Sequence, residues 1–236
     1  KRKISGDLVI DSLEIARNKF PGASNSLSSN KCIVIDRTSP TLAEISAISS
    51  PTSDSTPDYT FSSDEAGTIS YGGSCSSTTL TAIAGNNSIT LSSLSDGTYS
   101  DCTISVDDIS GNTTTITMSS FTVDTTSPTL VEVTAVSTPT SDSTPSYTFS
   151  SDEAGTISYG GSCSSSTSAA IASDNTITLS SLSDGTYSDC TINVTDTAGN
   201  ISSTLTITSF TVSTSCLLYT SDAADERSSV DLGGRR

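Results

Sequence analysis

The chain has 236 residues, a formal net charge of −16 and no histidine, and only 33% of its residues are hydrophobic. Serine and threonine together account for 92 residues, a composition that suits half-buried strands better than helices. Residues 38–216 contain 18 acidic side chains and no lysine or arginine, so internal salt bridges are excluded there, and nucleic acid and anionic membrane surfaces are disfavoured as partners. No run of 18 apolar residues occurs, so no membrane span is expected.

Two long segments of the chain recur in register. Residues 59–77 return letter for letter at 147–165, 88 positions later, and residues 89–104 return at 177–192. A fixed period of this kind indicates a tandem duplication, and its length suits a small all-β domain. The period becomes 89 after a one-residue insertion near Ser209.

The segment that leads into each repeat is similar. An apolar strand, an aspartate and a Thr-Ser-Pro sequence occupy residues 32–40, and the same pattern returns at residues 121–128. Residues 1–36 are therefore interpreted as the last strands of a preceding β domain, with weak strand-like alternation that includes Leu8 and Ile10. The first repeat then spans residues 37–123 and the second spans residues 124–215.

Within the first repeat, short apolar segments alternate with turn signals about every ten residues. Alternation of apolar and polar residues predicts strands around residues 42–48, 59–61, 68–71, 88–91, 102–106 and 113–123. Low hydrophobicity and high net charge are also the signature of disorder, but this alternation favours a folded β-sandwich of six or seven strands.

Three motifs occur in the same order in both repeats. They are D-x-T-S-P junctions at Asp36 and Asp124, L-S-D-G-T-Y turns that end at Tyr99 and Tyr187, and D-x-x-G-N turns at residues 108–112 and 196–200. With these motifs the chain resembles the bacterial immunoglobulin-like (Big and cadherin-like) domains that occur in tandem on surface and adhesin-type proteins. The resemblance implies an all-β fold of tandem immunoglobulin-like β-sandwiches with about seven strands each.

Tyr99 stands where a tyrosine corner is expected, with a hydroxyl that can reach the backbone near the sheet edge. The chain also departs from antibody-type domains, because it contains no tryptophan and because Cys102 follows Tyr99 by three residues. The usual core tryptophan and inter-sheet disulfide are therefore not assumed.

The C-terminal residues resemble something other than a protein domain. Residues 216–226, CLLYTSDAADE, resemble the translation of a transposase-type sequencing adapter, and residues 228–236 resemble its continuation in another frame. We interpret residues 216–236 as an adapter-derived artefact, expected to be disordered and excluded from fold reasoning. The natural protein is then expected to continue beyond Ser215. The alternative is a natural polar tail.

Four of the six cysteines occupy matching positions in the two repeats. Two cysteines per repeat predict one internal disulfide in each, and such bonds indicate an oxidising compartment, at the cell surface or outside the cell. The alternative is a reduced pair that fills space in the core. The predicted pairs are Cys75 with Cys102 and Cys163 with Cys190.

Acidic residues at turns and junctions are candidate calcium ligands, because Ca²⁺ prefers oxygen ligands. The resemblance implies such sites where immunoglobulin-like and cadherin-like domains stack end to end. The competing interpretation is solvated turn aspartates. The candidates are Asp36, Asp64, Glu65, Asp107 and Asp108 in the first repeat, and Asp124, Asp152, Glu153 and Asp196 in the second.

Catalysis is not expected, and no catalytic residue is assigned. Without histidine there is no Ser-His-Asp triad and no imidazole base, and the repeats contain no lysine. Asp64 and Glu65 are adjacent on a turn and therefore do not flank a cleft as a glycosidase pair does.

The sequence thus predicts a structural or adhesive repeat module, a stalk or spacer of a bacterial surface or secreted protein, located outside the cell or on its surface. Its expected partners are neighbouring repeats of the same chain, with a surface receptor or glycan as a further candidate and calcium as the one cofactor considered. Two alternatives stay open: a ligand- or glycan-binding module, and spacer domains of an extracellular hydrolase.

Overall fold

A computed structural model describes residues 3–4, 7–11 and 32–215, with side chains from Asp36 to Ser215. Every regular element in this part of the chain is a β-strand. The described residues include no helix long and apolar enough to cross a membrane. The adapter-like residues 216–236 lie outside the described residues.

In the described part of the chain, three strands precede the first repeat. Strands β1 (Lys3–Ile4), β2 (Asp7–Asp11) and β3 (Cys32–Ile35) form an antiparallel sheet in that order. Leu8 pairs with Ile35 in this sheet, so the alternation near the start of the chain does belong to a strand. The assignment of residues 1–36 to a preceding domain stays a prediction.

The first repeat forms two sheets and a short ribbon. The sheets have the orders β4-β5-β8 and β11-β10-β6-β7, the ribbon is β9-β12, and their neighbouring strands are antiparallel. The strands are β4 (Leu42–Ser46), β5 (Asp58–Ser63), β6 (Gly67–Gly72), β7 (Thr81–Ala82), β8 (Gly85–Thr90), β9 (Gly97–Tyr99), β10 (Thr103–Asp107), β11 (Thr113–Thr117) and β12 (Phe121–Val123).

The second repeat copies this topology. Its sheets have the orders β13-β14-β17 and β16-β15-β19-β20, and its ribbon is β18-β21. The strands are β13 (Leu130–Thr134), β14 (Ser146–Ser151), β15 (Gly155–Gly160), β16 (Ala169–Ala170), β17 (Asp174–Thr178), β18 (Gly185–Tyr187), β19 (Thr191–Thr195), β20 (Leu205–Thr206) and β21 (Phe210–Val212).

The described residues also divide into two compact units. One contains the described residues up to Ser127 together with Asp196–Ile201, and the other contains Pro128–Thr195 and the described residues from Ser202 on. The repeat limits proposed from the sequence stay predictions.

Each repeat has one apolar core between its two sheets. In the first repeat, Phe61 from one sheet and Ile104 and Val106 from the other belong to a single cluster and are completely buried. Burying each such side chain stabilises the fold by about 1.5–3 kcal/mol. Their neighbours along the strands face outward and are polar, so the alternation read from the sequence places the core correctly. The all-β, immunoglobulin-like sandwich is confirmed.

The tyrosine corner is confirmed in both repeats. The Tyr99 hydroxyl donates to the Ser95 carbonyl oxygen at 2.8 Å, and the Tyr187 hydroxyl donates to the Ser183 carbonyl oxygen at the same distance. The Tyr99 ring stacks on Phe121 of the last strand with ring centres 5.4 Å apart. This contact fixes β12 beside β9.

The closing strand predicted over residues 113–123 is wrong as a single element. The structure divides it into β11, which pairs with β10, and β12, which pairs with β9. Met118 keeps its backbone bond to the Cys102 carbonyl oxygen, and the chain then leaves the sheet. The break has a signature in the sequence, because Phe121 follows Met118 by three residues and not two, with two exposed serines between them. The prediction overlooked this shift of one position in the apolar alternation.

The extra residue of the second repeat does not lie near Ser209. Asn112 and Asn200, which close equivalent turns, are still 88 positions apart, whereas Met118 and Ile207, which make equivalent backbone bonds, are 89 apart. The insertion therefore lies between Asn200 and Leu205. The Asn193 side chain donates there to the Ser202 carbonyl oxygen at 3.0 Å, so the additional residue is accommodated as a local irregularity beside β19.

A disulfide joins Cys75 to Cys102 and another joins Cys163 to Cys190, which are the pairs that the sequence predicts. All four cysteines belong to the buried cores. In the first repeat the bond links the segment after β6 to the residue before β10, and in the second it links the segment after β15 to the residue before β19.

Replacing Cys75 and Cys102 by serine should lower the free energy of unfolding of the first repeat by about 3.5 kcal/mol, because the bond closes a loop of 27 residues in the unfolded chain. Urea unfolding of the full chain measures this change. Intact mass with and without reductant is the control, since two disulfides should take up four hydrogen atoms. Four free thiols in the untreated repeats would show that the bonds do not form.

Candidate cation site

Three carboxylates of the first repeat lie together. Asp36 follows β3, Glu65 lies in the turn between β5 and β6, and Asp108 follows β10. One oxygen from each lies within 4.8 Å of the others. Residues from a junction and two turns, far apart in sequence, thus converge on one place.

Asp108 is held by the turn that it opens. Its Oδ1 accepts the backbone N–H groups of Ser110 and Asn112 at 2.7 and 2.8 Å, and its Oδ2 accepts the Asn112 side-chain amide at 2.7 Å. The Asn112 amide, more than any other group, holds the pKa of Asp108 below its usual value, although burial opposes the shift. Asp108 is only 8% exposed, and the hydrogen bonds of its own turn favour its ionised form despite that burial.

The same amide also holds the junction. Nδ2 of Asn112 donates to the backbone carbonyl oxygen of Asp36 at 3.4 Å. Near Glu65, the Ser63 hydroxyl donates to the Glu65 carbonyl oxygen at 2.6 Å and fixes that turn. The sequence analysis identified Asn112 as the last residue of the D-x-x-G-N turn but did not assign it to the site.

The second repeat builds the same turn. Oδ1 of Asp196 accepts the Gly199 and Asn200 backbone N–H groups at 2.7 and 2.8 Å. Nδ2 of Asn200 donates to Oδ2 of Asp196 and to the Asp124 carbonyl oxygen, both at 2.8 Å. Asp124 and Asp196 are therefore brought together. Glu153 occupies the turn that matches Glu65, where the Ser151 hydroxyl donates to its carbonyl oxygen at 2.6 Å.

The remaining candidate ligands serve other purposes. Asp64 accepts the Thr41 backbone N–H at 2.6 Å, which lowers its pKa, and Asp152 accepts the Thr129 N–H in the same way. Asp107 accepts the Thr113 hydroxyl. These three carboxylates hold neighbouring strands or junctions and do not join the acidic cluster.

The cluster of Asp36, Glu65 and Asp108 offers hard oxygen ligands of the kind that Ca²⁺ binds. Three like charges this close disfavour one another's ionised forms unless positive charge is nearby. Arg37 is adjacent in sequence to Asp36, whereas Thr125 occupies the equivalent place in the second repeat, which has no basic residue there. A divalent cation bound to the cluster would reduce the repulsion among its carboxylates.

Another carboxylate, that of Glu44 in β4, binds the segment between β11 and β12. Its Oε2 accepts the Ser119 backbone N–H at 2.9 Å and its Oε1 accepts the Ser119 hydroxyl at 2.7 Å. Burial would raise the pKa of Glu44, but the two bonds from Ser119 outweigh it and the pKa lies below its usual value. We call this contact, and its counterpart between Glu132 and Thr208, the glutamate latch.

The glutamate latch of the second repeat has the same geometry. The Thr208 N–H and hydroxyl donate to Glu132 at 3.0 and 2.7 Å, and the Tyr147 hydroxyl adds a third bond at 3.1 Å. The equivalent Tyr59 hydroxyl of the first repeat is buried beside Glu44 and interacts with that carboxylate, but without the geometry of a regular hydrogen bond. Burial and then the nearby carboxylate raise the pKa of both tyrosines.

Asp96 and Asp184 hold the segment that leaves each repeat. Asp96 accepts the Thr125 N–H and hydroxyl at 2.9 and 2.7 Å and the Thr126 hydroxyl at 2.7 Å. In the second repeat, bonds from Thr214 and Ser215 lower the pKa of Asp184 to about 2. The L-S-D-G-T-Y motif therefore supplies a carboxylate to the junction as well as the tyrosine corner.

No family model and no curated protein match this chain. Among solved structures it is similar to the fibronectin(III)-like modules of Clostridium thermocellum CbhA, with a TM-score of 0.40, 11% identity and coverage of 73% of this chain and 94% of that chain. It is also similar to the D0-D1 domain of Intimin (TM-score 0.26, 14% identity, 72% and 98% covered).

A third solved structure is the Bacteroides ovatus mixed-linkage glucan utilization locus protein SGBP-B in complex with a mixed-linkage heptasaccharide (TM-score 0.22, 15% identity, 81% and 58% covered). At these scores and identities none of the three matches carries an argument about function.

The latches should make the repeats sensitive to acid. Because the pKa values of Glu44 and Glu132 are lowered from 4.5, their stabilisation is present above that pH and is lost as the pH falls through the folded-state values. The double variant E44Q/E132Q should be less stable than the wild-type chain at pH 7, and the two melting curves should converge between about pH 5 and pH 3. Calorimetry across this range measures the effect; curves that stay parallel would contradict it.

Proposed function

We propose that this chain is a structural repeat module, a stalk or spacer of a bacterial surface or secreted protein. The observation that carries the proposal is the duplication itself. Residues 59–77 and 147–165 are identical and take the same strands, turns and disulfide positions. Copying a whole domain almost unchanged adds length, whereas a binding site needs only one copy.

The disulfides support a location outside the cell or on its surface. Such bonds persist in oxidising compartments and are rare in the reducing cytosol. The surface charge supports the same environment, because the acidic, lysine-free repeats resist non-specific association. Neighbouring repeats of the same chain are then the expected partners.

We also propose that the repeats are not catalytic. The chain contains no histidine and the repeats contain no lysine, so the usual bases and many metal ligands are missing. The described carboxylates Glu44, Asp64, Asp96 and Asp108 act as acceptors for protein N–H and O–H groups. A catalytic base is instead poised to take a proton from a substrate.

A glycan array and long-read sequencing together test the spacer proposal. The full chain at micromolar concentration should bind no glycan above the level of its reduced and unfolded form. Long-read sequencing of the source DNA should extend the reading frame into further repeats of about the same period and a secretion or anchoring signal. Specific glycan binding would favour the ligand-binding alternative, and an adjoining catalytic domain would make these repeats spacers of an enzyme.

We further propose that the cluster of Asp36, Glu65 and Asp108 binds calcium. Its support is the convergence of three carboxylates within 4.8 Å, with Asp108 held ionised by its own turn. A site with three protein carboxylates, two of them partly exposed, suits the weak affinities of extracellular calcium modules, with dissociation constants of about 0.1–1 mM.

Calcium at 10 mM should then stabilise the first repeat by about 1.4–2.7 kcal/mol and raise its melting temperature by several degrees relative to excess chelator. The variant E65Q should lose this rise. The variant D64N is the matched control and should keep it, because Asp64 binds the Thr41 backbone N–H instead. An unchanged melting temperature in calcium and chelator, or a full rise in E65Q, contradicts the site.

A further inference from the structure

We propose that the glutamate latch ties the entry strand of each repeat to the segment that leads into its exit strand, and transmits tension across the repeat. The entry strand is β4 or β13, and the exit strand is β12 or β21. The biological role of this tie rests on the proposed stalk function, since a stalk is pulled at its ends. The contact itself follows from the structure of each repeat.

The entry and exit strands do not pair with each other. β4 pairs with β5 at the edge of one sheet, and β12 pairs with β9 in the separate ribbon. A pull on the two ends of the repeat therefore acts on two different groups of strands. Something else must join them if the repeat is to resist that pull.

The latch is one of several contacts that make this connection in the first repeat. A parallel bridge joins Thr52 to the exit strand: the Thr52 N–H donates to the Thr122 carbonyl oxygen and the Asp124 N–H donates to the Thr52 carbonyl oxygen, both at 2.9 Å. The Thr122 N–H also donates to the Ser50 hydroxyl at 3.0 Å. Because Glu44 precedes Thr52 in the chain, the latch lies nearer than this bridge to the N-terminal end of the repeat.

The latch is suited to this task because both carboxylate oxygens are used. Oε1 and Oε2 of Glu44 each accept one donor of Ser119, and hydrogen bonds to a charged group are about twice as strong as neutral ones. Both donors come from one residue between β11 and β12. The carboxylate therefore holds the chain at the point where it leaves one sheet and enters the ribbon.

The second repeat supplies independent support. Its extra residue lies between Asn200 and Leu205, ahead of the exit strand, so every later residue is displaced by one position. Ser119 is replaced by Thr208, 89 positions later, and Glu132 still accepts both its N–H and its hydroxyl. The latch thus persists with a different hydroxyl residue despite the shift in register.

The disulfide cannot replace the latch. Cys75 and Cys102 both lie between the entry and exit strands along the chain, so the covalent bond closes an internal loop and leaves the two ends free to separate. Resistance to a pull at the ends then depends on non-covalent contacts.

Pulling the full chain by its two ends in magnetic tweezers tests the proposal. Unfolding under constant force follows the unfolding rate, and the variant E44Q/E132Q should unfold at least about tenfold faster than the wild-type chain. Each glutamine keeps the size of the side chain but presents an amide donor where two donors must be accepted.

The matched control is Y99F/Y187F. It removes one hydrogen bond per repeat between residues only four positions apart, and that bond does not join the entry and exit strands. Its unfolding rate under force should change by less than that of E44Q/E132Q when the two are compared at equal loss of equilibrium stability. A second variant, S119A/T208A, removes only the hydroxyl donors and should give an intermediate rate.

Equal force-dependent rates for the wild-type chain and E44Q/E132Q would overturn the proposal, and so would an effect no larger than that of the tyrosine control. If E44Q/E132Q does not fold, S119A/T208A decides on its own, and an unchanged rate in that variant is the contradicting result. These outcomes concern the latch alone. The glycan and sequencing tests decide the stalk function separately. Failure of the latch proposal can therefore be distinguished from failure of the stalk proposal.

Discussion

Residues 38–216 contain no lysine or arginine, so apart from Arg37 at the start of the first repeat no basic side chain of the repeats is available to neutralise their acidic residues. Each described carboxylate that holds the fold must therefore be stabilised by N–H and O–H donors. Glu44, Asp96 and Asp108 each accept at least two such donors from another part of the chain or from their own turn. The abundant serines and threonines supply these donors, so the unusual composition and the hydrogen-bond pattern have the same cause.

The carboxylates are concentrated where the chain enters and leaves a repeat. Asp64 holds the entering segment at Thr41, Asn112 and Asp108 hold it at Asp36, and Asp96 holds the leaving segment at Thr125. The core and the disulfide fix the middle of each repeat, where Asp58 adds a bond from the Thr90 hydroxyl between β5 and β8. The acidic cluster is a by-product of this arrangement, because two anchoring turns and a junction meet at one place.

Much of the fold was predictable because apolar alternation directly reports which face of a strand is buried. It gave the positions of β5, β6, β8 and β10 and the all-β class. It missed the two-residue strands β7 and β16, which are too short to show a period. It also missed the break between β11 and β12, although the alternation shifts by one position between Met118 and Phe121.

The candidate site was predictable in part for a related reason. Asp36, Glu65 and Asp108 stood out because they flank junctions and turns, which tend to meet at the end of a sandwich. Asp64 and Asp107 shared that signal, and local backbone geometry turned them toward Thr41 and Thr113 instead. The pairing of Glu44 with Ser119 spans 75 residues of sequence, and no local pattern in a single sequence reports such a contact.

The disulfide sets an upper limit on the reach of an unfolded repeat. Residues between Cys75 and Cys102, 27 positions apart, cannot straighten while the bond is intact. At about 3.4 Å per residue, the bond shortens the extended length of each unfolded repeat by roughly 90 Å. Oxidised repeats therefore keep a reserve of length that only a reducing environment releases, and the contour length of the chain under tension becomes a measure of the redox state around it.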